Sequence, residues 1–252
     1  MTRQPKSIQR LFVDQPLSAD KVVTLTDNAA HYLRNVLRAN IDDAVLVFNG
    51  RDGEWHAHVK AIDKRMVTLV TAQRARAQTT QADIWLLVAP VKRARLDYLA
   101  QKATEMGVTR LVPVLTQRTQ GGTVNLDRLR ANAREAAEQC GILSVPEIMP
   151  AARLDAVLQD WDAARALVFC DETAQTGMGI ADTHTGLRPP LAVLIGPEGG
   201  FAPEERDGLL ALAPTLRLSL GPRILRTDTA VVAALALLQW LGGDWQAGAD
   251  ES

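Results

Sequence analysis

The sequence predicts two successive domains of different fold class, a small β domain and an α/β domain with a mainly parallel sheet. Short strand-like runs, separated by Asn-Gly and Asp-Gly turns, occupy the first eighty residues. From Ile84 onward, continuous apolar runs alternate with stretches of helical periodicity, which is typical of a sheet buried on both faces. We therefore predict domains at residues 1–73 and 83–243, a linker at 74–82 and a disordered tail at 244–252.

The first domain is predicted to contain five strands and one helix. The helix begins after Thr26 or Asp27, either of which can cap it, and its apolar face carries Ala30, Leu33, Val36 and Leu37. The strands are predicted at residues 8–13, 21–25, 44–48, 54–62 and 66–72.

The second domain is predicted from continuous apolar runs and helical spacing. Gly107 and Gly141 are expected to end the first two helices. The predicted strands are 84–89, 110–115, 166–170, 191–195 and 216–220, and the predicted helices are 93–106, 126–140, 203–212 and 227–240.

Composition excludes several classes of protein. Of the 252 residues, 47% are hydrophobic, which allows a sizeable core, but no apolar run approaches the length of about 20 residues that a membrane span needs. The basic, polar N-terminus does not resemble a secretory signal, so we expect a cytoplasmic protein. The pair His56 and His58 lacks an evident third ligand, and we expect no metal.

Charge is distributed unevenly along the chain. Lys and Arg outnumber Asp and Glu in residues 1–134, the reverse holds in residues 135–252, and the net charge is only −1. A basic first half favours a polyanionic partner such as a nucleic acid. A solvated surface of mixed charge is the alternative. The basic candidates for RNA binding are Arg10, Arg34, Arg38, Lys92, Arg93 and Arg118, of which Arg34 and Arg38 are predicted to share one helix face.

Two loops that follow predicted strands carry the chemistry. Residues 195–201 read Ile-Gly-Pro-Glu-Gly-Gly-Phe, and residues 218–230 read Leu-Ser-Leu-Gly-Pro-Arg-Ile-Leu-Arg-Thr-Asp-Thr-Ala. Loops at the carboxyl ends of parallel strands are where ligands bind in open α/β sheets. Glu198 and the absence of a Walker lysine argue against a triphosphate and favour a neutral or cationic cofactor. A purely structural glycine-rich turn is the alternative for either loop alone.

These two motifs resemble those of the RsmE family of bacterial 16S ribosomal RNA methyltransferases, which act on N3 of a uridine. The similarity extends to residues 10–13, 31–38, 101–108, 117–118 and 135–140, so it covers most of the chain in order.

Three positions depart from the family pattern. Asp228 stands where Glu is usual, Cys140 where Ser is frequent, and Ile142 with Leu143 where an Arg is expected. The missing Arg removes one candidate RNA contact.

The resemblance implies a PUA-like β-barrel that recruits RNA, followed by a SPOUT-type α/β domain with a trefoil knot. It also implies a homodimer and a pocket for S-adenosylmethionine, bounded by the loops near Cys170 to Glu172 and by the two loops above. The cofactor-binding residues expected on this basis are Ile195, Gly196, Pro197, Gly199, Gly200, Leu220, Ile224 and Leu225. A side chain at Gly199 is expected to block the cofactor.

The chemistry of the implied reaction suggests catalytic residues. Uracil N3 must lose a proton before it attacks a methyl group, so the site needs electrostatic stabilisation, a base, or both. Arg226 is the candidate for stabilisation, because a cation beside a helix N-terminus opposes the helix dipole and so suits an anionic partner. Asp228 is the candidate for an orienting group or base, and Glu138 is a second candidate base.

The implied substrate is 16S ribosomal RNA within the 30S subunit. Two other functions remain open: a ribose 2′-O-methyltransferase of the SPOUT superfamily, and a ribosome-binding protein without catalytic activity. The sequence does not distinguish naked RNA from an assembled particle, and it does not identify the target nucleotide.

Overall fold

The computed structural model describes residues 8–120, 123–171, 174 and 187–246. Within these ranges, no helix is both long and apolar enough to cross a membrane. The same residues contain no group of three or more His, Cys, Asp or Glu side chains placed to hold a metal ion.

The chain divides into two compact units. Unit 1 comprises residues 1–80 and 137–145, and unit 2 comprises residues 81–136 and 146–252. The predicted order of a β domain followed by an α/β domain is confirmed, with one difference: a short segment far along the chain returns to unit 1.

Unit 1 contains a five-stranded sheet in the order β1-β3-β4-β5-β2. Strands β1 and β3 are parallel, and the remaining neighbours are antiparallel. Alternate residues of these strands point into a core that includes Val45, Val47, Val59, Val67 and Leu69, as the period of two requires. The strands are β1 (Gln9–Phe12), β2 (Val22–Thr26), β3 (Ala44–Phe48), β4 (Glu54–Ile62) and β5 (Met66–Arg76).

The helix of unit 1 differs from the prediction. Helix α1 (Asp27–His31) continues as a π-helical turn (Tyr32–Val36), and no side-chain hydrogen bond caps its start. The wider π turn rotates the following side chains, so Val36, predicted to face the core, is 59% exposed. Ala30 and Leu33 are buried as predicted.

The segment 137–145 is held in unit 1 by a charge cluster around the buried carboxylate of Glu54. The carboxylate of Glu54 accepts hydrogen bonds from Arg10 Nε at 2.6 Å and from Arg76 Nε at 2.8 Å. The guanidinium of Arg10 also donates to the backbone carbonyls of Ala137, Glu138 and Ile142. This cation therefore satisfies carbonyl groups at the end of a helix, where no intrahelical donors remain.

Apolar packing reinforces this attachment. Leu143 is buried against Phe48 and Ala137, with Ile142 at the edge of the same cluster. The two residues that replace an expected arginine thus contribute to a hydrophobic core.

Unit 2 contains a seven-stranded sheet in which every pairing is parallel. Its order is β12-β10-β11-β6-β7-β8, and β9 also pairs with β7. The strands are β6 (Ile84–Val88), β7 (Arg110–Leu115), β8 (Glu147–Ile148), β9 (Ala152–Arg153), β10 (Ala166–Cys170), β11 (Leu191–Ile195) and β12 (Thr215–Leu218). The helices that begin in unit 2 are α2 (Arg93–Glu105), α3 (Leu126–Cys140), α4 (Leu154–Gln159), α5 (Pro203–Ala211) and α6 (Thr227–Gly242), and the last four residues of α3 belong to unit 1.

Most predicted elements of unit 2 are confirmed to within two residues, but α4, β8 and β9 were not predicted.

The predicted linker and tail differ from the structure. Strand β5 of unit 1 continues to Arg76, inside the segment predicted as a linker. The predicted disordered tail begins with a 3-10 turn at Asp244–Gln246, and residues 247–252 lie outside the described residues. The trefoil knot stays a prediction.

Glu54→Gln is expected to destabilise unit 1, because it leaves the guanidinium of Arg10, whose side chain is only 13% exposed, without its counter-charge. We expect the free energy of unfolding in urea to fall by about 3 kcal/mol. Asp155→Asn removes an ion pair whose two side chains are 75% and 66% exposed, and serves as the control. Its loss should stay below about 0.5 kcal/mol. Equal effects of the two substitutions would contradict a structural role for the Glu54 cluster.

The same carboxylate predicts a dependence of stability on pH. Burial alone raises the pKa of Glu54, but hydrogen bonds from Arg76 and Arg10 outweigh it and leave the pKa below its usual value. This contribution is complete above the unfolded pKa of about 4.3 and is lost as the pH falls through the lower native pKa. Acid titration of unfolding should therefore be shallower in Glu54→Gln than in the unsubstituted chain.

Candidate active site

The candidate site lies where three neighbouring strands of unit 2 end at the same level. Cys170, the last residue of β10, is in register with Ile195 at the end of β11 and with Leu218 at the end of β12. Parallel strands place their carboxyl ends at one edge of the sheet, so the three following loops converge.

A cavity of about 430 Å³ opens at this edge, a size typical of small-molecule sites. Its described wall consists of Cys170, Asp171 and Ala174 after β10, residues 195–200 after β11, and residues 218–225 with Thr227 and Ala230 after β12. All eight residues predicted to bind the cofactor line this one cavity.

The loop after β11 is shaped by a close approach at Gly196. A Cβ at this position would lie 2.6 Å from the ring of Phe201. Phe201 is itself buried and packs edge-on against Phe169 of β10, with ring centroids 5.1 Å apart. The loop then turns at Gly200, whose φ is +68° and whose N–H donates to the carbonyl of Pro197 at 2.9 Å.

Gly199 differs from Gly196. A Cβ at Gly199 would meet only the side chain of Arg118, at 3.7 Å, which is an ordinary contact. The protein itself therefore leaves room for a side chain there, and the expectation that Gly199 must stay open for a ligand stays a prediction.

The loop after β12 forms the opposite wall. Gly221 has a φ of +96°, a conformation that favours glycine. The side chain of Ile224 is 94% exposed although it lines the cavity. Buried Thr227, the first residue of α6, donates its hydroxyl to the carbonyl of Gly196 at 3.5 Å and so links the two loops.

The loop after β10 contributes a buried carboxylate. Asp171 is 3% exposed, and its Oδ2 accepts from Arg206 at 3.0 Å and from Arg217 at 2.9 Å. Sequence reasoning missed both arginines as partners of this loop. The available signal was Arg217, a charged residue between the apolar residues of β12. Glu172, the other end of the expected loop, lies outside the described residues.

Cys170 contributes a thiol to the cavity wall. Burial raises the pKa of Cys170 well above its ordinary value. The sulfur therefore stays protonated at neutral pH and is a poor nucleophile.

The predicted catalytic pair flanks the cavity at the start of α6. Arg226 is the N-cap residue of α6, and Thr227 is the first residue of the helix. The guanidinium of Arg226 is exposed, and no hydrogen bond joins it to another described residue. Asp228 accepts the backbone N–H of Thr229 at 3.1 Å.

Glu138 has a different setting. Its Oε1 accepts the backbone N–H of Phe12 at 2.8 Å, within unit 1. The side chain is not part of the described cavity wall. Its catalytic role stays a prediction, and the structure provides a structural role for the same carboxylate.

The three predicted RNA-binding cations of unit 1 have unequal surroundings. Arg10 forms an ion pair with Glu54 and donates hydrogen bonds to backbone carbonyls. Its guanidinium also lies 4.6 Å from the centroid of the Phe48 ring. Arg34 donates to the carbonyls of Asp63 and Lys64. Arg38 follows the end of the π turn with a φ of +51°, so Arg34 and Arg38 do not share a helix face as predicted.

The three predicted cations of unit 2 are all exposed. Lys92 and Arg93 stand at the N-terminus of α2. Arg118 follows β7 and donates to the carbonyl of Gly199 at 2.9 Å.

Comparison with known proteins gives consistent matches. A family model described as an RNA methyltransferase domain matches residues 78–239, and one described as an RNA methyltransferase PUA domain matches residues 25–71. The ribosomal RNA small subunit methyltransferase E of Rickettsia conorii is 29% identical over 235 residues, which cover 92% of this chain and 96% of that protein.

Two solved structures agree over nearly the whole chain. Ribosomal RNA small subunit methyltransferase E from Neisseria gonorrhoeae, bound to S-adenosyl methionine, is 26% identical with a TM-score of 0.81. A Legionella pneumophila protein in complex with the bound cofactor SAM is 27% identical with a TM-score of 0.82. Each match covers 95% of this chain and 100% of the other.

Gly196→Ala should disturb the site, whereas Gly199→Ala should not disturb the fold. The first substitution forces the added methyl group against Phe201, and we expect a loss of about 1–3 kcal/mol in the free energy of unfolding. The second adds a methyl group at ordinary contact distance and should change that energy by less than about 0.5 kcal/mol. Urea unfolding of both variants measures the difference, and equal stabilities would show that Phe201 can move aside.

Proposed function

The chain belongs to the RNA methyltransferase domain family, and we propose that it transfers the methyl group of S-adenosylmethionine to N3 of a uridine in 16S ribosomal RNA. This proposal rests on one observation: both family motifs line the same cavity, at the ends of β10, β11 and β12. The relatives that share the fold are ribosomal RNA methyltransferases or hold this cofactor.

The cavity suits S-adenosylmethionine in its shape and chemistry. Ile195, Leu220 and Leu225 line the cavity and offer apolar surface for an adenine ring. The charged side chains of the described wall are those of Asp171, Glu198 and Arg223. The carboxylate of Asp171 is buried and paired with two arginines, so the more accessible acidic group for a sulfonium is Glu198, which is 56% exposed. The bound cofactor supplies an electrophilic methyl group.

The residues of this chain have to generate and hold the uracil nucleophile. The N3 proton has a pKa of roughly 9 to 10, close to that of a tyrosine hydroxyl, so it must be removed for attack. Asp228 is proposed to accept or orient this proton. Arg226, whose exposed guanidinium bonds to no other residue that the structure describes, is proposed to stabilise the negative charge that develops on the uracil.

The proton balance of the step is simple. The N3–H bond breaks as the proton passes to the base, a bond forms between N3 and the methyl carbon, and the sulfur–carbon bond of the cofactor breaks. Alignment of N3 with the methyl carbon is expected to supply much of the rate. Glu138, whose carboxylate accepts the N–H of Phe12, is the second candidate base.

RNA recognition is proposed to involve both units. Residues 25–71 match an RNA methyltransferase PUA domain, and Arg38, Lys92 and Arg93 present exposed cations.

We further propose that the substrate is the assembled 30S subunit, that the enzyme acts in the cytoplasm, and that it works as a homodimer.

Mass mapping of 16S RNA tests this function. Purified protein and S-adenosylmethionine are incubated with 30S particles from a strain that lacks this modification, and the nucleosides are identified by mass spectrometry. One 3-methyluridine per particle is expected. A 2′-O-methylated ribose would replace the proposal by the ribose methyltransferase alternative, and cofactor binding without methylation by a non-catalytic one.

Arg226→Ala should lower kcat by about 100-fold or more, because it removes one electrostatic contact to the transition state. The dissociation constant for S-adenosylmethionine, measured by calorimetry, should stay within about threefold, because Arg226 does not line the cavity. Arg188→Ala, which removes an exposed cation elsewhere in unit 2, is the control for net charge. Near-normal turnover in Arg226→Ala would remove this residue from the catalytic role.

A further inference from the structure

The loop that follows β7 is attached to the cofactor loop after β11, and the proposed function does not use this attachment. Its turn is closed by Thr116, whose N–H donates to the hydroxyl of Thr119 at 2.8 Å, and by the N–H of Thr119, which donates to the carbonyl of Thr116. The two hydroxyl groups are also 2.9 Å apart. The turn is therefore closed by its own hydrogen bonds.

A second connection fixes this turn against the start of α5. The N–H of Gln117 donates to Oε1 of Glu205 at 2.8 Å, and the other carboxylate oxygen accepts the N–H of Ala202 at 3.0 Å. The turn and the residues after Gly200 are thus bridged by one carboxylate.

Arg118 extends from this turn onto the cofactor loop. Its Nη1 donates to the carbonyl of Gly199 at 2.9 Å, and its Cβ and Cδ would lie 3.7 and 3.8 Å from a Cβ at Gly199. In the same peptide group, the N–H of Gly200 donates to the carbonyl of Pro197. The planar peptide between Gly199 and Gly200 is therefore held at both of its polar atoms.

The sequence restricts the backbone conformation of this peptide less than that of any other peptide in the loop. Glycine on both sides permits backbone rotations that other residues exclude, so the unbound loop would otherwise sample several conformations. Ordering it only when the ligand arrives would lower affinity, whereas ordering it beforehand raises affinity.

We propose that Arg118 is a positioning residue for the cofactor loop: it fixes the Gly199–Gly200 peptide and so preorganises the wall against which S-adenosylmethionine binds. This inference rests on the proposed function. It assigns Arg118 a role in cofactor affinity, where sequence reasoning placed it only among the RNA-binding cations.

The neighbouring ion pair does not provide the same constraint. Arg95 Nη1 lies 3.2 Å from Oε1 of Glu198, and the two side chains are 32% and 56% exposed. Such exposed pairs contribute little, and this one restrains a side chain rather than a peptide group.

The test compares Arg118→Ala and Arg118→Gln with the unsubstituted chain and with Arg188→Ala, which removes the same charge elsewhere in unit 2. Binding of S-adenosylmethionine without RNA is measured by calorimetry on the full chain. We expect the dissociation constant to rise about tenfold in Arg118→Ala, equivalent to about 1.4 kcal/mol. Arg118→Gln, which keeps an amide donor, should lie between, and Arg188→Ala should be unchanged.

Steady-state kinetics separate positioning from RNA contact. For Arg118→Ala we expect the KM for S-adenosylmethionine to rise while kcat at saturating cofactor stays within about twofold. An unchanged cofactor dissociation constant, together with weaker binding of 30S particles, would overturn the inference and assign Arg118 to RNA alone. Failure of the unsubstituted chain to bind S-adenosylmethionine would instead overturn the proposed function.

Discussion

The parallel register of β10, β11 and β12 is the constraint on which the site depends. Cys170 lies opposite both Ile195 and Leu218, so three segments that are widely separated along the chain end side by side. A parallel pair cannot be closed by a short hairpin, and each connection must return across the sheet before the next strand begins. The loops are therefore free to differ in length and composition while their starting points stay fixed. A cavity bounded by all three follows from this arrangement.

Within that frame, the glycines of one motif serve different physical purposes. Gly196 is required by the protein itself, because the ring of Phe201, packed against Phe169, occupies the space of a side chain. Gly200 permits a backbone conformation that other residues rarely adopt. Among the described residues, a Cβ at Gly199 would meet only Arg118, at ordinary contact distance, so any demand for glycine there has to come from a ligand. The glycines of this one sequence motif thus have different roles: one allows side-chain packing, one allows a turn, and one leaves space for a ligand.

Hydrophobic periodicity predicted most of the fold, because strands such as β3 and β4 and helices such as α3 bury one face or both in a regular pattern. The eight predicted cofactor residues came from the family resemblance instead; they line one cavity, and their binding of the cofactor stays a prediction. Periodicity could not predict partners that are distant in sequence. The pairing of Arg10 with Glu54, and of Asp171 with two arginines, has no local signal. The π turn at Tyr32–Val36 was missed because its hydrophobic spacing resembles that of an α-helix until Val36.

Because residues 137–145 return to unit 1, neither unit corresponds to one continuous stretch of the chain. The polypeptide passes between the units three times, after residues 80, 136 and 145. A fragment cut near residue 80 would lack Leu143 from the cluster around Phe48 and would leave the guanidinium of Arg10 without its carbonyl acceptors. No single cleavage of the chain yields either half with its full set of contacts. The two units are separate in their cores but interleaved in their covalent order, so neither can be lost, exchanged or duplicated as a contiguous piece without cost to the other.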